Sequence, residues 1–340
     1  MGLASSPPTS KVAPEMVLVL VILVSGAFLW GIAVVLTTFA LLHPPRLTPA
    51  RAMARLGRMT PADLGLRYEN CDFTIESGRA EARVTLVGWW IPSIARSDRS
   101  VIIVHGYADS RAGALAWVPV WLDVGFNVLL FDLRGHGESG GNATSAGLND
   151  HFDVWRIVAE LRARKPEQTR QLMLFGVSLG ATIALAAGET VDDLAGIVLE
   201  SPVVDFIHGV NTQSWLMGLP GATVVRPGIW LAERWLGRRF AAVRVSRLIS
   251  LSPAPVLAMI PLADAFLPPE HVEEITRAIG ARRLKDQTSQ VVDFQGATHL
   301  LPAHLESARY RDALQQFVNA CTDYGLARAP AEGAGARQSN

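Results

Sequence analysis

The chain is short of cysteine and of net charge, and each shortage excludes something. Its two cysteines, Cys71 and Cys321, stand far apart in the 340 residues, so neither a disulfide framework nor a Cys-based zinc site can be read from their spacing. They say nothing about compartment. Lys plus Arg number 31 and Asp plus Glu number 31, a formal balance of zero that gives no global attraction to nucleic acid or any acidic polymer. No nucleic-acid partner is expected. Charged residues make up 18% against 49% hydrophobic, which excludes wholesale disorder and allows a sizeable core in one large domain or two small ones. No internal repeat is visible.

Charge is also absent from the whole stretch Met16–Leu42, which is rich in Val, Leu, Ile, Ala and Phe. As a helix it would be roughly 40 Å long, more than the ~30 Å of bilayer hydrocarbon, so residues 16–42 read as a transmembrane helix after an N-terminal tail of residues 1–15. A cleaved signal peptide has an apolar stretch of only about 7–15 residues, although Ser25-Gly26-Ala27 puts small residues in mid-span. Before the span lie Lys11 and the terminal amine; after it come Arg46, Arg51, Arg55 and Arg58. That bias favours a cytoplasmic body, while a long following domain can be exported regardless of local charge. Arg51, Arg55 and Arg58 are spaced to share one helical face, which would suit either anionic headgroups or plain solvent.

Pro44 and Pro45 end the span, and residues 43–66 read as a juxtamembrane linker rich in Arg and Pro. Strand-like runs follow at Arg67–Glu76, Ala82–Ile91, Val101–Val104, Val128–Asp132, Leu172–Phe175, Ile197–Leu199, Val256–Ile260 and Val291–Phe294. Between them Phe152, Trp155, Val158 and Leu161 recur at helical spacing, as do Val272, Ile275, Ala278 and Ile279. Strands alternating with helices imply an α/β fold with a mostly parallel sheet covered on both faces. The body is expected over residues 67–324. Within it, residues 203–254 break the rhythm with Trp215, Leu216, Met217, Trp230, Leu231, Trp235 and Leu236, and read as a small helical lid. The small, polar residues 325–340 read as a disordered tail.

Gly-x-Ser-x-Gly occurs at Gly176–Gly180 and again at Gly137–Gly141. Ser178 follows the apolar run Leu172–Phe175 and opens the helical run Ala181–Ala187, so it sits on a strand, sharp turn and helix that force its hydroxyl outward. Ser139 follows a polar loop and precedes no helix; it reads as loop. A serine needs a base, and His299 fits best because it lies in a Gly-containing loop after the strand Val291–Phe294. His304 belongs to the next helix, and His43, His151, His208 and His271 read as surface or packing residues. The imidazole needs a carboxylate, and Asp264, after Val256–Ile260, completes the chain order Ser, Asp, His. Backbone donors for an oxyanion would be the amides of Leu179 and Tyr107, while His105 and Gly106 shape the turn.

These features, with His105-Gly106-Tyr107, the run Asp132–Gly141, Glu200-Ser201-Pro202 and the loops of Asp264 and His299, resemble the α/β-hydrolase superfamily from about Thr60 to Tyr324. The charge-free start, the Thr60–Leu66 segment and Gly88-Trp89-Trp90-Ile91-Pro92 are similar to the membrane-anchored α/β-hydrolase-domain proteins. The resemblance implies an eight-stranded sheet and a cofactor-free, metal-free serine hydrolase acting on esters, thioesters or amides; a serine at 178 speaks against aspartate-nucleophile relatives. One departure is Pro261 in the loop before Asp264, where the family has a glycine, which leaves Glu200 or Asp205 as substitute acids. The Asp and Arg of Asp132–Gly141 are expected to pair with each other.

The sequence therefore points to a single-pass membrane serine hydrolase that forms an acyl-enzyme on Ser178, with an acyl-bearing small molecule or lipid as substrate and the bilayer as partner. A peptidase or acyltransferase would use the same chemistry, and a catalytically silent scaffold is the reading from another class. Oligomeric state is not legible.

Overall fold

Eight strands form one sheet in the order β1-β2-β4-β3-β5-β6-β7-β8, seen in a computed structural model that describes residues 13–76, 83–300 and 302–328. The strands are β1 (Glu69–Glu76), β2 (Arg83–Ile91), β3 (Arg99–Val104), β4 (Asn127–Phe131), β5 (Gln171–Val177), β6 (Leu194–Glu200), β7 (Val256–Pro261) and β8 (Gln290–Phe294). β1 and β2 pair antiparallel, as do β2 and β4; every other pair is parallel. β1 alternates exposed and buried residues, as one-sided packing requires, whereas β4 and β7 are buried throughout because helices cover both faces.

Helices α1 (Pro14–Leu42) and α2 (Pro49–Leu56) precede the sheet, α3 (Arg111–Ala114) and α4 (Val118–Asp123) follow β3, and α5 (Asp150–Arg164) follows β4. α6 (Leu179–Gly188) follows β5; α7 (Phe206–Leu216), α8 (Arg226–Leu236) and α9 (Val245–Leu251) lie between β6 and β7, with a π-helical turn at Gly221–Val225. α10 (Pro269–Asp286) joins β7 to β8, and α11 (Pro302–Leu305) and α12 (Ser307–Arg328) end the described chain. Apolar residues of α5, α6, α9 and α10 pack on one sheet face, and those of α2, α3, α4 and α12 on the other.

Four expectations are corrected. In α5 the buried apolar stripe is Val154, Ile157, Val158 and Leu161, whereas Phe152 and Trp155, though at helical spacing with Val158 and Leu161, are exposed. Residues 43–66 are no free linker: α2 and a 3-10 turn (Pro61–Leu64) fold onto the body, and Gly57 in a left-handed conformation ends α2 before Arg58, so Arg58 leaves the helix that carries Arg51 and Arg55. Of the 203–254 insertion, α9 packs on α6 and α10 with Val245, Leu248 and Ile249 in the main core, so it belongs to the body rather than to a lid. Asp132 and Arg134 do not pair: Arg134 forks onto Asp153 at 2.9 and 3.0 Å, while Asp132 receives the amides of Arg111 and Glu138. Residues 1–12 of the expected tail, with Lys11, and residues 329–340 of the other lie outside the described residues.

α1 joins the body only by its C-terminal half. Val34, Thr38 and Leu42, one turn apart, are buried, and the residues from 14 to 29 are exposed all round. Thr38 donates its hydroxyl to the Gly228 carbonyl of α8 at 3.1 Å, and Trp30 donates its indole N–H to the Thr223 carbonyl at 2.6 Å. Below the helix, Arg46 donates to the carbonyls of Ser139 (2.6 Å), Gly137 (3.4 Å) and Gly141 in the loop after β4. Three carbonyls on one guanidinium fix the exit of α1 relative to the sheet. Arg46→Ala should lower unfolding stability by about 2–3 kcal/mol, and Arg46→Lys should recover less than half of it because an ammonium cannot hold the fork; thermal unfolding of the three proteins in the same detergent checks this.

Candidate active site

Parallel strands end together, and the loops beyond β3, β5, β6, β7 and β8 meet at one rim of the sheet. Ser178 makes the sharp turn between β5 and α6, where φ is 53° and ψ is −117°. A residue with a Cβ is strained there. The turn closes because Gly176 and Gly180 lack side chains: a Cβ on Gly176 would run into the Gly180 carbonyl, and one on Gly180 into the Val104 carbonyl. The Ser178 amide donates to the Glu200 carbonyl at 2.9 Å, tying the turn to β6. Its hydroxyl is left facing outward.

His299 stands in the loop after β8. Its Nε2 lies 3.0 Å from Ser178 Oγ and its Nδ1 lies 2.6 Å from Asp264 Oδ2. Asp264 is buried, and its other oxygen accepts the Phe266 amide at 2.8 Å, so the carboxylate is held on both sides. Pro261 does not reshape the loop: β7 runs through it, paired with Phe294, and the amides of Leu262 and Ala263 donate to Phe294 and Ala297. Of the substitute acids, Asp205 caps α7 through the His208 amide at 2.7 Å and pairs with Arg244, and Glu200 is buried below Ser201; neither touches His299. The structure thus brings Ser178, His299 and Asp264 together.

Tyr107 and Leu179 border the same space. α6 starts at Leu179, so that amide is among the first-turn N–H groups that no helical carbonyl meets. Gly106 allows the β3 loop to come close, since a Cβ there would sit 3.3 Å from Ser178 Cβ. His105 is structural: its Nδ1–H donates to the Gly106 carbonyl at 2.8 Å, its Nε2 accepts the Leu133 amide at 3.0 Å, and burial holds it down at about 3, so it stays neutral. Ser139 is equally committed, donating to Asp132 O at 2.6 Å and accepting the Val87 amide at 3.0 Å. His304 falls on α11.

Ser178 and His299 open into a cavity of about 770 Å³. Its walls are mostly apolar, with Leu47, Leu148, Val210, Met217 and Phe240 among them, and Arg55, Arg58 and Asp109 at one side. Desolvation pushes Asp109 up to about 6, with Arg58 acting against the shift. Three lining residues, Thr37, Ala40 and Leu41, come from α1, and the Tyr107 hydroxyl donates to the Ala40 and Leu41 carbonyls at 2.8 and 3.2 Å. Sequence reasoning missed this sharing; nothing in a uniformly apolar span marks which face meets the body. Among the described residues no group of three or more His, Cys, Asp or Glu is arranged to hold a metal.

The model of the serine aminopeptidase S33 family of hydrolases matches residues 95–254. YfhR of Escherichia coli O157:H7 is 30% identical over 214 residues, which span 61% of this chain and 66% of the relative. YfhR of Salmonella typhi is 30% identical over 278 residues, spanning 76% and 82%. The membrane protein YNL320W of Saccharomyces cerevisiae is 26% identical over 222 residues, spanning 64% and 69%. An esterase of Pyrococcus furiosus, Pf2001, superposes with a TM-score of 0.64 at 23% identity, covering 82% of this chain and 97% of its own, a likeness of fold.

The Glu200 carboxyl is fully buried, and desolvation pushes it up to about 8 from an ordinary 4.5. Between those values the folded protein keeps a proton that the unfolded chain has shed, so this group supports folding below about pH 4.5 and loses that support as pH rises toward 8. Glu200→Gln carries no such group. Its melting temperature relative to the wild type should therefore rise steadily from pH 5 to pH 8, as differential scanning fluorimetry would show.

Proposed function

The chain belongs to the α/β-hydrolase superfamily, and from that footing we propose that it is a membrane-anchored serine hydrolase that cleaves acyl esters or related acyl bonds through an acyl-enzyme on Ser178. The observation that carries this reading is the continuous relay at the cavity floor, Ser178 Oγ to His299 Nε2 at 3.0 Å and His299 Nδ1 to Asp264 Oδ2 at 2.6 Å. With Nδ1–H donating to Asp264, Nε2 turns its lone pair to the serine hydroxyl. His299 takes the Ser178 proton as Oγ attacks the substrate carbonyl, and Asp264 stabilises the imidazolium that results. The amides of Leu179 and Tyr107 receive the oxyanion, the first helped by the α6 N-terminus. His299 then passes the proton to the leaving group, and a water activated by the same imidazole releases the acyl chain.

A cavity of this size with apolar walls suits an acyl chain better than a charged peptide terminus. That preference favours an esterase or lipase-like activity over a peptidase. α1 supports the anchoring: its Met16–Trp30 half is exposed, apolar and free of charge, a surface suited to lipid.

A fluorophosphonate probe should label the purified full-length protein. Ser178→Ala should abolish labelling, and His299→Ala and Asp264→Asn should each slow ester turnover by at least about a hundredfold. Folded protein that takes no label, or label that persists in Ser178→Ala, would sink the assignment.

A further inference from the structure

The far edge of the hydrocarbon layer can begin no earlier than Met16, because Glu15 is charged. Covering ~30 Å at about 1.5 Å per residue then takes about 20 residues, so the near edge falls no earlier than Val35. Any tilt, or a later start, moves it further toward Leu42. Trp30 is therefore at least ~7 Å inside the hydrocarbon on the body's side. Yet Trp30 is hydrogen-bonded to Thr223 of the lid, and Gly228 packs so closely on the span that a Cβ there would lie 3.0 Å from Thr37 Cγ2. A lid fixed to the span at that height cannot stay in water.

The lid is built for such a place. Residues 210–225 contain no charged side chain, and Trp215 to Pro220 are six exposed positions in a row. Backbone polar groups in hydrocarbon must be satisfied internally, and here the amides of Met217, Gly218 and Leu219 donate to Gln213, Trp215 and Ser214, while Pro220 has no N–H to satisfy. The charge resumes at Arg226, and the exposed Trp230 and Trp235 follow along α8, the residue types that favour the interface. Met217 and Leu219 are both exposed on this segment and line the cavity that holds Ser178, facing Thr37, Ala40 and Leu41 of the span across it.

We propose that the segment from Trp215 to Val225 is immersed in the leaflet on the body's side and that the cavity opens there, so the substrate is a membrane-resident acyl amphiphile that enters from the leaflet, between lid and span, rather than from water. This deepens the hydrolase reading and rests on its membrane anchor and on Ser178 as nucleophile. The partner surface is the lipid leaflet itself; the apolar lid rim continues the lipid-covered surface of α1.

The test uses full-length protein at one copy per phosphatidylcholine nanodisc. Both native cysteines are buried, so a nitroxide can be placed singly on Leu216→Cys, on Leu29→Cys in the span, and on Ile94→Cys, an exposed position before β3. The label at 216 should relax with oxygen more than with a water-soluble nickel complex, as at 29 and opposite to 94. Nickel-dominated relaxation at 216, with oxygen-dominated relaxation at 29, overturns the immersion of the lid while leaving the anchor intact. A label at 216 shielded from both agents places another protein surface there and also overturns it; nickel-dominated relaxation at 29 removes the anchor and this proposal with it. For entry, Ala40→Trp should lower the ratio of kcat/KM for a dodecanoyl over an acetyl ester by about tenfold, and Leu36→Trp on the lipid side should leave that ratio unchanged. Fluorophosphonate labelling of each variant certifies an intact nucleophile; a ratio unmoved by Ala40→Trp, or moved equally by Leu36→Trp, overturns the route. Loss of labelling in the wild type itself would instead strike the hydrolase assignment.

Discussion

The left-handed backbone at Ser178 is the constraint around which the rest is arranged. Holding a non-glycine residue at φ 53° costs on the order of 1–3 kcal/mol, and nothing local repays it. The compensation comes from neighbours: the amide bond to Glu200 on β6, the start of α6, and two glycines that let strand, helix and the β3 loop approach closer than side chains permit. Two of these contacts reach other strands, the Glu200 carbonyl at the end of β6 and the Val104 carbonyl at the end of β3. The turn therefore exists only in the finished sheet, and the sheet in turn is what brings the Asp264 and His299 loops within hydrogen-bonding reach.

Electrostatic order around the turn follows from burial. His105 is kept neutral by two backbone partners and by desolvation, and Glu200, desolvated behind Ser201, keeps its proton to about pH 8. With neither a buried imidazolium nor a buried glutamate beside it, His299 meets one carboxylate at close range, Asp264. That simplicity matters for the proposed chemistry, because a second anion near the imidazole would compete for its Nδ1 proton and turn the lone pair away from Ser178.

How much of this could be read beforehand divides along a physical line. The central strands β3 to β7 were legible because buried parallel strands are nearly continuous apolar runs, and Ser178, Asp264 and His299 could be singled out because each lies shortly beyond the end of a strand-like run. The face of α5 was not, since Trp155 and Val154 are neighbours and only the sheet decides which is covered. Ion-pair choice failed for the same reason: Arg134 lies two residues from Asp132 but reaches Asp153 across the fold, and Asp132 is consumed in holding a turn. The role of residues 43–66 was hidden because Arg46 finds its partners among backbone carbonyls, which leave no mark in a sequence. α9 was absorbed into the lid by its apolar character, which suits a core helix equally well.

The contacts between α1 and the body also bear on why a helix proposed as an anchor is not a detachable tether. A tether needs only length and hydrophobicity. Here the last turns of α1 have their orphan carbonyls met by the Tyr107 hydroxyl, their Thr38 hydroxyl shared between the Val34 carbonyl of α1 and the Gly228 carbonyl of α8, and the Leu42 carbonyl taken by the Thr144 amide. Tyr107 follows Gly106, where the β3 loop comes close to Ser178, so a rigid shift of α1 would pull on the loop that faces that serine. Removing α1 would strip a wall from the cavity, expose the apolar faces of α7 and α8 to water, and free Tyr107 together. On this geometry α1 is part of the body that carries Ser178, and under the proposed anchoring the bilayer would be held relative to the serine by protein contacts rather than by a flexible linker.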